Sequence, residues 1–419
     1  MPMSDDFDRR LRAVLPHVAE RFGTPFYLYD AAGIDQTAAA FNEAFAGLDC
    51  REYFAVKALP NPAVLGRLAA HGFGFDCSSL PEIELARRTA GELFFTSNNT
   101  TTAELLTALE AGAFVTVDDE AVLDKLIAAN AVPATLGFRI NPGPLAPDFD
   151  AALFGHPQAA KFGIPVERLT SVVAKATHHG VRAVGLHMMI AANFRTPEPT
   201  LFALDLLTAQ ALRLGVEVAL LNVGGGMGIP YRPGETPLDL TALAAAVRDR
   251  AGAWPAGFRP RICFENGRYM TGPHGVLVTR VVNRMSKYRE VVGVDSTVNA
   301  LLRSVVYDGV YHHVTAPFAG QGPAETVDVA GSLCTNIDRL AVQRVLPPVA
   351  EGDLLIVHDT GAHAHAMASV YNGRLRPKEL LLHADGTVEL IRRAETDDDY
   401  FATLRFEPET LSPAVHAMR

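Results

Sequence analysis

The chain has 419 residues, 48% hydrophobic and 20% charged, with a formal net charge of −10. That balance is ordinary for a globular protein and excludes a disordered, collagen-like or long coiled-coil chain. The acidic total repels phosphate backbones, so no nucleic-acid partner is expected.

At roughly 150 residues per domain, the length allows two or three domains, or one large barrel with an appendage. No apolar run approaches the roughly 18 residues of a membrane span, and the opening MPMSDDFDRRLRAVLPHVAE lacks the apolar core of a signal peptide. Cys50, Cys77, Cys263 and Cys334 lie far apart without a CxxC pair. Neither a disulfide framework nor a metal site is expected, and the reducing cytoplasm is the expected location.

In chain order, TPFYLYD (24–30) reads as a strand followed by a helix over 34–47. CREYFAVKA (50–58), GFGFDCSS (72–79), LFFTS (93–97) and FVTVDD (114–119) read as strands, each followed by an Ala/Leu-rich helical stretch. ATLGFRINP (134–142), AVGLHMMI (183–190), VALLNVGGG (218–226) and PRICFENGR (260–268) continue the strands, with helices over 165–180, 198–215 and 238–252 between the later ones. Strand and helix in alternation predict parallel strands with crossover helices. Eight such units over about 250 residues is the size of a (β/α)8 TIM-like barrel, with a doubly wound open sheet as the alternative. After about residue 275 the pattern changes. VLVTRVVNRMSKYREVVGVDS, ETVDVAGSLC, DLLIVHDTG, KELLLHAD and GTVELIRRAE alternate apolar and polar residues, as in an antiparallel β domain. The expected division is a barrel over 25–280 and a separate, mostly antiparallel β domain from 281–419 plus 1–24. The Pro/Gly-containing insertion 143–163 follows a strand end, where an active-site loop belongs.

Strand C-termini face the active site of a parallel barrel, so residues there are the candidates. Lys57 ends a very apolar strand. Apolar surroundings leave a lysine neutral enough to form a Schiff base; equally, it is a lysine snorkelling at a strand end. NVGGGMG (222–228) presents backbone N–H groups to an anion, or is a tight turn needing positive φ. Glu265 and Arg268, in FENGRYM, either pair with each other or bind a ring nitrogen and an anion. Asp76, Arg139 and His187 also fall at strand ends. Cys334 lies in the β region, where a lone cysteine is ordinarily a small buried hydrophobe.

YFAVKALPNPAVL, GFGFDCSSLPEIELA, RINP, KFGIP, LNVGGGMGIPY, ENGR, GSLCTNIDRL and GAHAHAMASVYNGRLRP occur in one order between about residue 24 and about residue 390. That order resembles the fold-type III pyridoxal-phosphate decarboxylases, especially diaminopimelate decarboxylase and more distantly ornithine decarboxylase. The resemblance implies an alanine-racemase-like barrel plus β domain, pyridoxal 5′-phosphate as cofactor, a small amino-acid substrate, and a homodimer with shared active sites. Carried over by motif, Lys57 is the Schiff-base lysine, with Asp76 beside it. Glu265 holds the protonated pyridine nitrogen. Gly224, Gly225, Gly226, Gly267 and Arg268 hold the phosphate end. Cys334 reaches in from the partner chain as an acid, and Arg268, Arg303, Tyr307, Thr335 and Asn336 fall at substrate-binding positions.

Several positions depart from the family. Met189, Ile190, Ala191 and Ala192 stand where the family usually has His-Ile-Gly-Ser, although the preceding His187 is retained. Met189 is expected to cover the ring by sulfur–aromatic contact. His363 replaces a phosphate-binding tyrosine and also has a donor to offer; if it must be charged, cofactor affinity falls as pH rises. ENGR replaces EPGR, a mild change because Asn suits a turn. Thr335 and Asn336 follow Cys334 where the family has Glu or Asp facing a distal amine. Losing that charged hydrogen bond removes about 1.5–3 kcal/mol. The expected activity is therefore amino-acid α-decarboxylation with altered side-chain specificity, on an amino acid or a conjugate of one. Racemisation at the same carbon and a non-catalytic cofactor-binding homologue are the rivals.

Overall fold

The computed structural model describes residues 2–147, 156–307 and 309–407. Eight strands of the first sheet form its closed ring: Cys50–Ala55, Gly74–Cys77, Leu93–Thr96, Phe114–Val117, Thr135–Asn141, Ala183–His187, Glu217–Asn222 and Arg261–Phe264. Each pairs in parallel with the next, and Arg261–Phe264 pairs with Cys50–Ala55 to close the ring. The barrel expectation holds, and the open sheet does not. Helices between the strands begin where the sequence supplies caps. Asn61 accepts from the N–H of Ala63 at 3.0 Å, with Pro62 opening the helix Pro62–Ala70. Thr101 and Glu104 form a reciprocal capping box on Thr102–Glu110.

One strand is reassigned. Phe26–Asp30, which reads from the sequence as the first of the barrel series, belongs to the second sheet. It pairs antiparallel with Gly275–Ser286 and parallel with Lys378–Leu382. The reason is burial: all five residues are covered on both faces, and such a run carries no alternation to say which sheet it joins. Phe26 and Leu28 meet the helix Asp5–Phe22 through Phe7, Leu11, Leu15 and Val18, an apolar stripe at helical spacing. Tyr27 and Tyr29 point the other way, into the main core.

Glu290–Val294, Glu325–Ala330, Arg339–Leu346, Leu354–Val357 and Val388–Arg392 complete most of this sheet, whose pairings are mostly antiparallel. The sequence boundary at 280/281 falls inside the strand Gly275–Ser286. Of the insertion 143–163, residues 148–155 lie outside the described residues. Its far end is tied back by Asn141, whose amide donates to the carbonyls of Pro157 and Phe162 at 2.8 and 3.0 Å.

Candidate active site

The C-terminal ends of the barrel strands open into a cleft whose empty space, mouth included, is about 1030 Å³. Lys57 lines it from a single turn, Val56–Ala58, that follows the strand Cys50–Ala55. Its Nζ donates to Oδ2 of Asp76 at 2.8 Å. Asp76 sits in the next strand, 1% exposed, and its second oxygen has no partner. The apolar approach predicts a lysine pushed toward neutrality, and the structure shows the opposite balance. Burial does pull the ammonium down, but the carboxylates of Asp76 and Glu265 outweigh it and hold Lys57 above the ordinary lysine value. Burial, with the charge of Glu265, pushes the Asp76 carboxyl up despite Lys57.

Glu265 follows the strand Arg261–Phe264 directly. Its Oε1 accepts from the Asn222 amide at 2.6 Å and its Oε2 lies 3.1 Å from His187 Nε2. Burial works against its charge, but His187, Lys57 and Asn222 together hold the carboxyl below the ordinary range. Glu265 and Arg268 do not pair with each other, which disposes of the structural reading of that motif. Asn266 has a larger part than turn-filling. Its side-chain amide donates to the buried Glu52 at 2.9 Å, and its oxygen accepts from the N–H of Met227 at 3.2 Å. A proline there offers neither contact.

Gly224, Gly225 and Gly226 follow the strand Glu217–Asn222. A Cβ on Gly225 would stand 2.0 Å from the carbonyl oxygen of Glu265, and Gly226 has φ +101°. Only glycine allows this turn to press against the next strand end. The N–H groups of Gly225 and Gly226 have no acceptor among the described residues. Met189 and Ala192 line the neighbouring wall, with Met189 Sδ packed over Gly224. Phe162, at the end of the insertion, also reaches the cleft, its ring under the Arg139 guanidinium at 4.4 Å. Arg139 itself pairs with buried Asp118 at 3.2 Å.

The remaining wall is cationic. Arg268 lines the cleft and donates to the Tyr231 hydroxyl at 2.8 Å. Arg303, 4% exposed, lies over the Tyr231 ring at 4.7 Å and bonds His312 Nε2 at 2.6 Å, leaving its Nε without a partner. Neither guanidinium has a carboxylate partner among the described residues. A buried charge left unpaired is costly, so anionic ligands are the natural complement. Gly267 and Tyr307 line the same cleft. His363 arrives from the second sheet, its backbone N–H bonded to the carbonyl of Ala58 at 2.8 Å. Burial, then Arg268, Arg303 and Lys57, push its imidazole well below the ordinary histidine value. These neighbours disfavour a charged His363.

Cys334, Thr335 and Asn336 do not line the cleft of their own chain. They lie on the loop between the strands Glu325–Ala330 and Arg339–Leu346, where Cys334 is exposed rather than buried. The Tyr371 hydroxyl at 3.4 Å, with Asn372, lowers the thiol from its ordinary value. Sequence reasoning missed Asn222, Tyr231 and Phe162 as site residues. Asn222 and Tyr231 flank the glycine turn, but neither carries a periodic or compositional signal.

Pyridoxal phosphate fits this set. The chain offers a lysine amine, a carboxylate held ionised for a pyridinium, free glycine N–H groups and an unpaired guanidinium for a phosphate. Among the described residues no cluster of His, Cys, Asp and Glu is arranged to hold a metal, and no helix is long and apolar enough to cross a membrane.

Comparison with known proteins agrees. The family model for the pyridoxal-binding domain of pyridoxal-dependent decarboxylases matches residues 31–272. The chain is 46% identical to Protein TabA of Pseudomonas amygdali pv. tabaci over 417 residues, 97% of each chain. It is 35% identical to diaminopimelate decarboxylase of Methanothermobacter thermautotrophicus over 396 residues, 91% of this chain and 92% of the relative. The crystal structure of Helicobacter pylori diaminopimelate decarboxylase complexed with L-lysine superposes with a TM-score of 0.84 at 26% identity, covering 93% of this chain and 98% of that one. Barrel, second sheet, site and relatives converge: the chain belongs to the pyridoxal-dependent decarboxylases and is an amino-acid carboxy-lyase that uses pyridoxal 5′-phosphate.

Proposed function

We propose that this decarboxylase acts at Cα of an amino acid whose side chain is not recognised through a free ammonium, in a homodimer whose sites are completed by the partner subunit's Cys334. One observation carries the specificity. The loop bearing Cys334 has Thr335 and Asn336 next in sequence, and its nearest following acid, Asp338, is buried and occupied by the N–H groups of Val298 and Leu333 at 2.8 and 2.7 Å. No carboxylate of that loop is left to meet an ammonium.

In this reading Lys57 carries the cofactor and Asp76, 2.8 Å away, takes up or returns the proton on Nζ. Glu265, held by His187 and Asn222, keeps a carboxylate opposite the pyridine nitrogen. Gly224, Gly225, Gly226, Gly267, Arg268 and His363 hold the phosphate, and Met189 covers the ring. When bound, pyridoxal phosphate would supply an electron sink for the loss of the Cα carboxylate. The partner subunit's Cys334 returns a proton to Cα after carbon dioxide leaves. Arg303 and Tyr307, with Thr335 and Asn336, select the side chain, and Arg303 favours a substrate with a second carboxylate.

The test is carbon dioxide release by the holoenzyme from meso-diaminopimelate, L-lysine and L-ornithine and from their Nω-acyl forms. The free diamino acids are expected to fall at least about 10-fold behind an acylated one in kcat/KM, the equivalent of one lost charged hydrogen bond. Free meso-diaminopimelate as the best substrate would overturn the specificity reading.

A further inference from the structure

Tyr231 is 7% exposed and held on every side. Its backbone N–H and that of Arg232 donate to Glu235 at 2.8 and 3.0 Å, and Glu235 is anchored by Arg195 at 3.0 Å. Its hydroxyl accepts from Arg268, whose guanidinium also lies 5.7 Å from the ring centroid, Arg303 lies closer over the ring at 4.7 Å and also bonds Tyr231, and His312 meets the ring edge-on at 5.2 Å. Two guanidiniums thus share one neutral ring with no carboxylate between them. Burial lowers the basicity of Arg303, and the charge of Arg268 lowers it further while Tyr231 opposes the fall. The ring face is electron-rich and suits a stacked cation, and the phenol oxygen suits a donated N–H.

We propose that Tyr231 is a positioning residue: it aims Arg268 at the cofactor phosphate through its hydroxyl and, through its face, keeps Arg303 apart as a second, independent anion site. This rests on the reading that Arg268 binds that phosphate. Tyr231 touches neither reacting atom; it decides where two like charges stand.

The test titrates apoprotein with pyridoxal phosphate and with pyridoxal, which has no phosphate, following visible absorption and trapping the Lys57 adduct with borohydride. The wild type is expected to prefer pyridoxal phosphate; equal affinity for the two would overturn the phosphate reading and this proposal with it. Tyr231→Phe keeps the ring and removes the acceptor. It is expected to weaken pyridoxal phosphate about 10-fold, the scale of a charged hydrogen bond, and to leave pyridoxal unchanged. Tyr231→Leu also removes the face and is expected to lose more, and adding Arg303→Leu to it is expected to recover part of the loss by removing the repelling cation. With the wild-type preference intact, an unchanged preference in Tyr231→Phe, whether both ligands weaken equally or neither weakens, would overturn the role of Tyr231 alone.

Discussion

Asp359 lies on the turn that leads from the strand Leu354–Val357 toward His363. It is 0% exposed and has φ 59°, no side chain among the described residues meets its carboxyl, and the backbone of Met3 does not offset its burial. Burial pushes its carboxyl from 3.8 up to about 8. Because the folded value lies above the unfolded one, the folded chain binds the extra proton between them. The associated stability is full below about pH 4 and is lost as pH rises to about 8. A displacement of about four pH units at about 1.4 kcal/mol each bounds the effect near 6 kcal/mol. Asp359→Asn keeps the shape and cannot ionise, so its stability carries no such slope. The variant is expected to exceed the wild type by about 1–2 kcal/mol at pH 5 and by about 3–5 kcal/mol at pH 8. Urea unfolding of both proteins at equal cofactor concentration measures the gap, since cofactor effects common to the two cancel. A gap that is the same at both pH values would refute the reasoning and place the proton elsewhere.

Mixing inactive Lys57→Ala with inactive Cys334→Ala is expected to restore up to about one quarter of wild-type carbon dioxide release, because random pairing leaves one complete site in half of the dimers; no recovery after exchange of subunits would mean that each chain completes its own site. Thr335→Glu supplies the carboxylate that the Cys334 loop lacks and is expected to raise kcat/KM for free meso-diaminopimelate by about 10-fold or more, while an unchanged value would show that the side chain is read elsewhere. Since burial and the neighbouring cations disfavour a charged His363, the ratio of cofactor affinities between the wild type and His363→Tyr is expected to stay flat from pH 6 to pH 8. A ratio that changes through pH 6.5 would show that the imidazole titrates in the site.

The sequence by itself determined the barrel, because eight strand and helix units in alternation leave few other arrangements. It also marked Lys57, Glu265 and the glycine turn, because strand ends are legible and only C-terminal ends face the cleft. Motif order then pointed to the family. Three things needed the fold. The strand Phe26–Asp30 is buried on both faces, so its pattern is silent about its sheet. The charge on Lys57 depends on Asp76 and Glu265, which are distant in sequence and come together only when the barrel closes. The bias of His363 against a charge and the clamping of Arg268 and Arg303 by Tyr231 likewise arise from segments of both sheets meeting at one cleft. Local pattern reports which face of an element is buried; which charges end up as neighbours is set by tertiary contact, and the chemistry of the site depends on those neighbours.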